Sequence, residues 1–176
     1  MLIGITGRKQ AGKNTLAARL VAAHGFTPVA FADPMREMAL ALDPLVDGPY
    51  RLSELVKAQG WDVAKESCYE VRRTLQRLGT EAGRGVLGES VWVDAAMRRV
   101  DAIDGPVVVT DVRFPNEADA IREAGGVIVR VTRPGQVLSD SHPSETSMDG
   151  YPVHVEVSND GTVEQLWAAA DVIARG

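Results

Sequence analysis

The residues LIGITGRKQAGKNT (2–15) decide the fold class of this chain. Residues 2–6 form an apolar run that predicts a buried β-strand, and residues 13–24 place apolar side chains on one face, which predicts a helix. Between them lies a loop bounded by Gly7 and Gly12. A strand, a glycine-bounded loop and a helix in this order are typical of a site that binds phosphate groups.

The loop has the spacing G-x-x-x-x-G-K over residues 7–13. Glycines let the backbone curl so that several N–H groups converge on phosphate oxygens, and the following helix adds its positive N-terminal end. Lys13 would supply a cation for the β- and γ-phosphates of a nucleotide. The alternative is a glycine turn with a surface lysine, which the flanking strand and helix disfavour. The predicted contacts to ATP are Gly7, Lys9, Ala11, Gly12, Lys13, Asn14 and Thr15.

Two residues are candidates for holding Mg²⁺. The strict loop pattern has Ser or Thr after the lysine, whereas this chain has Asn14, followed by Thr15. Asn14 can bind the metal through its amide oxygen or through water, and Thr15 can contact a phosphate. Asp111 follows Val107-Val108-Val109-Thr110, the place of a carboxylate that holds Mg²⁺ at the end of a strand. The alternative is an aspartate that caps a turn.

A polar ridge is predicted in the middle of the chain. Four polar residues are spaced by four, and they share one face if the helix continues through the two glycines among them. Two guanidinium groups on one ridge suit a phosphate, and the glutamine can read a base edge. A solvated face is the alternative, which we favour for the neighbouring Arg73 and Arg77. The ridge residues are Arg72, Gln76, Thr80 and Arg84.

The order of elements predicts an α/β fold. Strands are expected at about 2–6, 28–32, 107–111, 127–131 and 153–157, with helices between them and an irregular helical region at 43–104. This alternation predicts a three-layer αβα fold with about five mainly parallel strands. Ligands of such sheets bind beyond the carboxyl ends of the strands, where the phosphate loop and Asp111 fall. Residues 133–150, rich in Pro, Gly, Ser and Asp, predict a long loop.

Composition narrows the class of protein. The 176 residues suffice for one α/β domain, and 19 basic minus 24 acidic residues give a net charge of -5. That charge disfavours a broad surface for polynucleotides. Cys68 is the single cysteine, so no intrachain disulfide can form, and the apolar start is too short for a signal sequence or a membrane span. We expect a cytoplasmic protein.

Five segments in order carry a resemblance to a known family. They are GRKQAGKNT (7–15), FADPMRE (31–37), RRTLQRLGTEAGR (72–84) with Trp92, DVRFPNEA (111–118) and HPSE (142–145). Together they resemble the deoxynucleoside monophosphate kinases of bacteriophages and their prophage relatives, over nearly the whole chain. The resemblance implies a P-loop NTPase fold, ATP with Mg²⁺ as cofactors, and a deoxynucleoside monophosphate (dNMP) as acceptor. The family usually has Asp after the loop lysine, so Asn14 is a departure.

The resemblance also implies roles for arginines. Arg36, with Arg72, Arg84 and Arg113, would lie around the acceptor, while Arg130 and Arg133 would border a mobile lid at about 133–150. We accordingly expect Lys13, Arg130 and Arg133 to be catalytic. For His142 we favour a structural role, and buried packing is the alternative for Trp92. The predicted dNMP-binding residues are Asp33, Arg36, Arg72, Gln76, Thr80, Arg84, Trp92, Asp111, Arg113 and Glu145.

The expected partners are ATP and a dNMP, with no polynucleotide and no membrane, and a homodimer stays open. The chain is expected to form one kinase domain, with an acceptor-binding region at about 34–104. Three alternatives remain: another small-molecule kinase such as dephospho-coenzyme A kinase, a GTPase switch, and a DNA-associated ATPase. The lack of an Asn-Lys-x-Asp motif argues against the GTPase, and the acidic balance argues against the DNA-associated ATPase.

Overall fold

A parallel sheet lies at the centre of the fold in the computed structural model, which describes residues 1–135 and 146–176. It has five strands in the order β2-β5-β1-β6-β7, and every pairing between them is parallel. The mainly parallel five-stranded sheet predicted from the sequence is thereby confirmed. In chain order the strands are β1 (Leu2–Thr6), β2 (Thr27–Val29), β3 (Leu45–Asp47), β4 (Tyr50–Arg51), β5 (Val107–Val109), β6 (Val127–Thr132) and β7 (Val155–Ser158).

The helices follow the predicted order. Lys13–His24 has the predicted bounds, and Gly25 ends it in the left-handed conformation. The helices are α1 (Lys13–His24), α2 (Asp33–Leu42), α3 (Leu52–Ser67), α4 (Tyr69–Gln76), a π-helix (Arg77–Leu87), α5 (Val91–Asp101), α6 (Pro115–Glu123) and α7 (Val163–Ile173). Among the described residues, no helix has the length and apolar character needed to cross a membrane.

Helices cover both faces of the sheet because β1 alternates its side chains. Ile3 and Ile5 are fully buried and belong to the core that α1 and α7 share with the sheet. Gly4 faces the other way, where a Cβ atom would come 2.7 Å from the Ile121 side chain of α6. A glycine at this position lets α6 lie close to the central strand. The expected αβα layering is confirmed.

The described residues group into two compact units, 1–31 with 96–176 and 32–95. The first contains the parallel sheet. The second contains α2, the antiparallel β3–β4 hairpin, α3, α4 and the π-helix. Its core includes Val71, Leu75 and Leu78, which lie on α4 and the start of the π-helix. The single-domain reading of the chain stays a prediction.

Several boundaries differ from those expected. Strand β2 ends at Val29 rather than at residue 32, β7 spans residues 155–158 rather than 153–157, and the hairpin at residues 45–51 was not predicted. The hairpin escaped prediction because its strands have two or three residues, too few for an alternating pattern to show. The cap of α2 is Ala32, and no side-chain cap bond forms there. Helix α7 begins with a capping box, in which Thr162 and Gln165 exchange hydrogen bonds of 2.8 and 3.4 Å.

An ion-pair network joins α1 to α7. Arg19 donates two hydrogen bonds of 2.8 Å to the two carboxylate oxygens of Asp171, and the His24 ring lies 2.8 Å from one of them. The Arg19 guanidinium also lies 5.7 Å from the centre of the Trp167 ring. Arg19 first, and His24 second, hold the pKa of the Asp171 carboxyl well below its usual range.

We expect Asp171→Asn to lower stability at neutral pH and to flatten its acid dependence. The folded-state pKa of Asp171 lies below the unfolded value of about 3.9, so its stabilising effect is present above about pH 4 and is lost as the pH falls through the folded pKa. Urea unfolding from pH 2 to 7 measures this. The matched control is Asp62→Asn, because Asp62 pairs with Lys65 while its side chain is 86% exposed. Equal effects of the two substitutions would contradict the assignment.

Candidate functional site

The phosphate loop leaves the central strand of the sheet and turns sharply. Gly7 has φ 137°, Gly12 has φ 109°, and Gln10 lies in the left-handed region at φ 64°, which is uncommon for a residue with a side chain. A Cβ atom at Gly7 would collide with the backbone carbonyl oxygen of Val131 in the neighbouring β6. Glycine is therefore required at position 7 both by its conformation and by the strand beside it.

Lys13, the first residue of α1, folds back over this loop. Its Nζ donates to the carbonyl oxygens of Gly7 at 2.6 Å and Arg8 at 2.8 Å. No acidic residue lies in the first turn of α1. The loop amides, the helix N-terminus and the lysine thus concentrate positive charge at the carboxyl end of β1, as the sequence predicts for a phosphate site. Lys9 is exposed, and Ala11 is buried beneath the loop.

Asn159 supports the loop and was missed by sequence reasoning. It follows β7, and its Nδ2 donates to the Ala11 carbonyl oxygen at 2.9 Å. Its own backbone N–H donates to the carbonyl of Thr132 at 2.7 Å. A Cβ atom at Gly12 would come 2.5 Å from the same Nδ2. The loop is 148 residues away in the chain, and only the order of strands in the sheet brings Asn159 to it.

The segment at 146–151 is anchored to the sheet by two arginines. Arg130 of β6 donates to the carbonyl oxygens of Met148 at 2.8 Å and Tyr151 at 2.6 Å, and to Glu156 at 3.0 Å. Arg8 of the phosphate loop forms an ion pair with Asp149. The side chain of Arg130 is 18% exposed and lies among these backbone carbonyls, and its expected catalytic role stays a prediction. Arg133 is exposed.

Asp111 lies just beyond β5, as expected for a carboxylate at a strand end. Its Oδ1 accepts a 2.7 Å hydrogen bond from the backbone N–H of Phe31. Asn14 is exposed in the first turn of α1. The described residues contain no group of three or more His, Cys, Asp or Glu side chains that could hold a metal.

Glu117 stabilises the backbone of the DVRFPNEA segment (111–118). It is buried, and its Oε2 accepts hydrogen bonds from the backbone N–H groups of Arg113 at 2.7 Å and Phe114 at 3.2 Å. Pro115 begins α6 and Glu117 follows two residues later, which is a recognisable helix-start signal. The carboxylate fixes the backbone that carries Arg113, whose side chain is exposed.

The predicted ridge residues lie on α4 and the π-helix of the second unit. Arg72, Gln76 and Thr80 are exposed and Arg84 is half-buried. The helix continues through the glycines, as the ridge required, but with a changed pitch after Gln76. Arg73 and Arg77 pair with Glu70 and Glu81, the solvated arrangement favoured for them.

The other candidates of the second unit include an aromatic contact. Arg36 lies 5.9 Å from the centre of the Trp61 ring and 3.4 Å from Asp33. Trp92, expected near the acceptor, is 6% exposed and donates its indole N–H to the Gly79 carbonyl at 2.8 Å. A cavity of about 320 Å³ lies among residues 39–44 and 70–82 of this unit, and its lining contains none of the predicted site residues. Glu145 and His142 lie outside the described residues.

Comparisons with known proteins identify similar sequences. The family model for deoxynucleotide monophosphate kinase matches residues 50–169. A protein of Acanthamoeba polyphaga mimivirus, whose name assigns it to the deoxynucleotide monophosphate kinases, is 30% identical over 96% of this chain and 93% of its own length. The deoxynucleotide monophosphate kinase of Enterobacteria phage T4 is 31% identical over 58% of this chain, and the deoxynucleoside-5'-monophosphate kinase of Escherichia phage T5 is 33% identical over 50%. The matches cover 44% and 38% of those two phage proteins, less than half of their length.

Solved structures give the fold. Shikimate kinase from Aquifex aeolicus aligns with a TM-score of 0.51 at 9% identity, covering 99% of this chain and 96% of its own. The protein TT1252 from Thermus thermophilus aligns with a TM-score of 0.50 at 19% identity, covering 99% and 97%. At these identities the similarity concerns the fold alone, which is that of the P-loop kinases.

We expect Gly7→Ala to destabilise the protein by more than about 2 kcal/mol, because the new methyl adds a backbone collision to a disfavoured φ. The control is Gly48→Ala, which also has a positive φ, 54°, but has nothing within 4 Å of the added Cβ. That control should cost about 1 kcal/mol from conformation alone. Guanidinium unfolding of both variants measures the difference. Equal costs would show that the Val131 carbonyl does not restrict position 7.

Proposed function

The chain belongs to the deoxynucleotide monophosphate kinase family, and from this premise we propose that it transfers the γ-phosphate of ATP to a deoxynucleoside monophosphate, giving a dNDP and ADP. The observation that carries the proposal is the phosphate loop. It combines the lysine-bearing helix start with a curled backbone, on the central strand of a P-loop kinase fold. Supply of DNA precursors is the corresponding role.

The donor phosphates are assigned to the loop of the first unit. Lys13 now bonds to two loop carbonyls, and a phosphate oxygen would give its ammonium group a stronger, charged acceptor within reach of the same loop. Asn159 keeps the Ala11 carbonyl turned to the protein, so that the neighbouring N–H groups remain available to the ligand. Mg²⁺, when bound with the nucleotide, would screen the phosphate charge. Asn14 and Asp111 are the side chains assigned to it.

The acceptor needs no general base. A dNMP is already an anion at its phosphate, and one of its oxygens attacks the γ-phosphorus of ATP in line with the departing ADP. The main barrier is to bring two polyanions together, so positioning and charge screening should supply the rate enhancement. We assign the acceptor phosphate to Arg72 and Arg84 of the second unit, and the role of Arg113 at the acceptor stays a prediction from the sequence.

The remaining two arginines receive different roles. Arg130 has three acceptors within 3.0 Å, two of which are backbone carbonyls, and moving it would leave those carbonyls to find new partners. We therefore assign Arg130 to holding the 146–151 segment and Arg133 to the charge of the transition state. The exposure of Arg133 at the end of β6 supports this division.

We expect ADP release to be stimulated by deoxynucleoside monophosphates. The test is a panel of the four dNMPs, their ribonucleotide counterparts and dephospho-coenzyme A, each with ATP and Mg²⁺. Turnover with at least one dNMP and none with dephospho-coenzyme A supports the proposal. Turnover with dephospho-coenzyme A alone would replace it with the rival kinase function, and ADP release that no acceptor alters would indicate a simple ATPase.

We expect Lys13→Ala to lower kcat by on the order of 10²–10³-fold, comparable with the removal of one donor to a transition-state oxyanion. The fold should remain, since the hydrogen bonds of the lysine to the Gly7 and Arg8 carbonyls lie within the loop, and far-UV circular dichroism can verify this. Lys57→Ala is the matched control, because Lys57 is an exposed lysine of α3. Wild-type turnover in purified Lys13→Ala would remove the lysine from the mechanism.

A further inference from the structure

The helix that carries the ridge changes pitch within its length. It is α-helical from Tyr69 to Gln76 and π-helical from Arg77 to Leu87, and the π-helical part has eleven residues. A π-helix of this length is rare, since π-helical geometry occurs mostly as single turns and often at functional sites. Eleven consecutive residues therefore need support from the surrounding structure.

Trp92 is placed to give that support. Its indole N–H donates to the Gly79 carbonyl at 2.8 Å, and its side chain is buried with 6% exposure. At Gly83, one turn further along, a Cβ atom would lie 2.6 Å from Cε2 and 2.7 Å from Nε1 of the same ring. Neither glycine has a positive φ. Gly83 is thus needed for the close approach of the indole, not for its backbone conformation.

The change of pitch alters which side chains share a face. In a continuous α-helix, which turns about 100° per residue, Arg72 and Arg84 would point about 120° apart. A π-helix, with hydrogen bonds from i to i+5, has more than four residues per turn and advances roughly 80° per residue. With the π-helical pitch beginning after Gln76, the same two arginines come within roughly 40° of one line. The four-residue spacing becomes a straight ridge only because the pitch changes.

Exposure along the helix agrees with this alignment. The ridge positions Arg72, Gln76 and Thr80 are all exposed, whereas Leu75, Leu78 and Gly83 are buried. If residues 77–87 were α-helical, position 83 would turn away from the indole and position 84 would turn away from the ridge. The contact of Trp92 and the alignment of the arginines are therefore two consequences of one helical geometry.

We propose that Trp92 is a positioning residue for the acceptor phosphate: it holds the π-helical pitch through Gly79 and Gly83, and this pitch places Arg72 and Arg84 on one ridge. The proposal rests on the proposed function, since it gives the aligned arginines their ligand. It assigns Trp92 no contact with the nucleotide. The buried indole acts on the acceptor through the helix.

The first test separates positioning from stability. Trp92→Phe keeps an aromatic ring but removes the indole N–H, and it should raise KM for the best dNMP about tenfold while KM for ATP changes less than twofold. Trp167→Phe in α7 is the matched control, since its side chain is 38% exposed and lies in the first unit. It should change neither constant. Equal rises in both constants for Trp92→Phe, or no rise, would overturn the positioning role.

Hydrogen exchange measures the pitch itself without any activity. In Trp92→Phe the amides of residues 77–87 should exchange at least tenfold faster, while those of α1 and α7 keep their protection. Unchanged exchange at 77–87 would overturn the support that Trp92 gives to the π-helix. If the wild-type protein phosphorylates no dNMP, the proposed function and the acceptor role fail, whereas the exchange result still decides whether Trp92 holds the pitch.

A double-mutant cycle tests the contact with Gly83. Gly83→Ala should lower the melting temperature because the methyl meets the rigid, buried indole, and Trp92→Phe in the same chain should restore part of the loss by removing the ring atoms that it meets. Gly79→Ala is the milder control, since its Cβ would meet only the flexible end of Met35, at 2.8 Å. Additive effects of the first two substitutions would show that the indole does not require glycine at position 83.

Discussion

The phosphate loop depends on the crowding of the central strand by its neighbours. β1 lies between β5 and β6, and the carbonyl of Val131 in β6 occupies the space that a side chain at position 7 would need. The chain therefore leaves β1 through a conformation that is favourable for glycine, and the same turn directs the backbone back to the start of α1. Asn159, held beside the loop by the pairing of β7 with β6, fixes the other end of this turn. The conformation of the loop follows from the packing of parallel strands.

Sequence reasoning recovered the features that depend on local pattern. The bounds of α1, the five parallel strands and the place of Asp111 follow from apolar runs, glycines and the order of elements. The contacts of Asn159 and Arg130 could not be predicted, because each joins residues that are distant in the chain and meet only through strand order. The catalytic role expected for Arg130 came from the family resemblance. A resemblance identifies a position in the chain, but it does not show which hydrogen bonds the side chain makes.

The π-helix shows why spacing alone was an incomplete guide to the ridge. Residues at intervals of four drift by about 40° per step on an α-helix, so a ridge of four such residues cannot stay straight on one. The sequence carried a further signal in Gly79, Gly83 and Trp92, but the signal has meaning only once the indole is known to lie against the helix. The tertiary contact of Trp92 thus determines the helical pitch. Sequence patterns report local preferences, so they do not show such an effect.

Electrostatics links these features to the proposed reaction. The net charge of -5 disfavours the approach of anionic nucleotides at long range, so the proposed binding depends on short-range cationic and N–H groups. The described structure orders three of the proposed elements. The Val131 carbonyl restricts the loop at Gly7, the buried Glu117 holds the backbone of Arg113, and the π-helical pitch sets the directions of the ridge arginines. In each case a group of the protein interior or of the backbone sets the direction in which an exposed guanidinium or N–H group points. Preorganisation of this kind reduces the cost of bringing two phosphates together, because the protein dipoles and charges need not reorganise when the transition state forms.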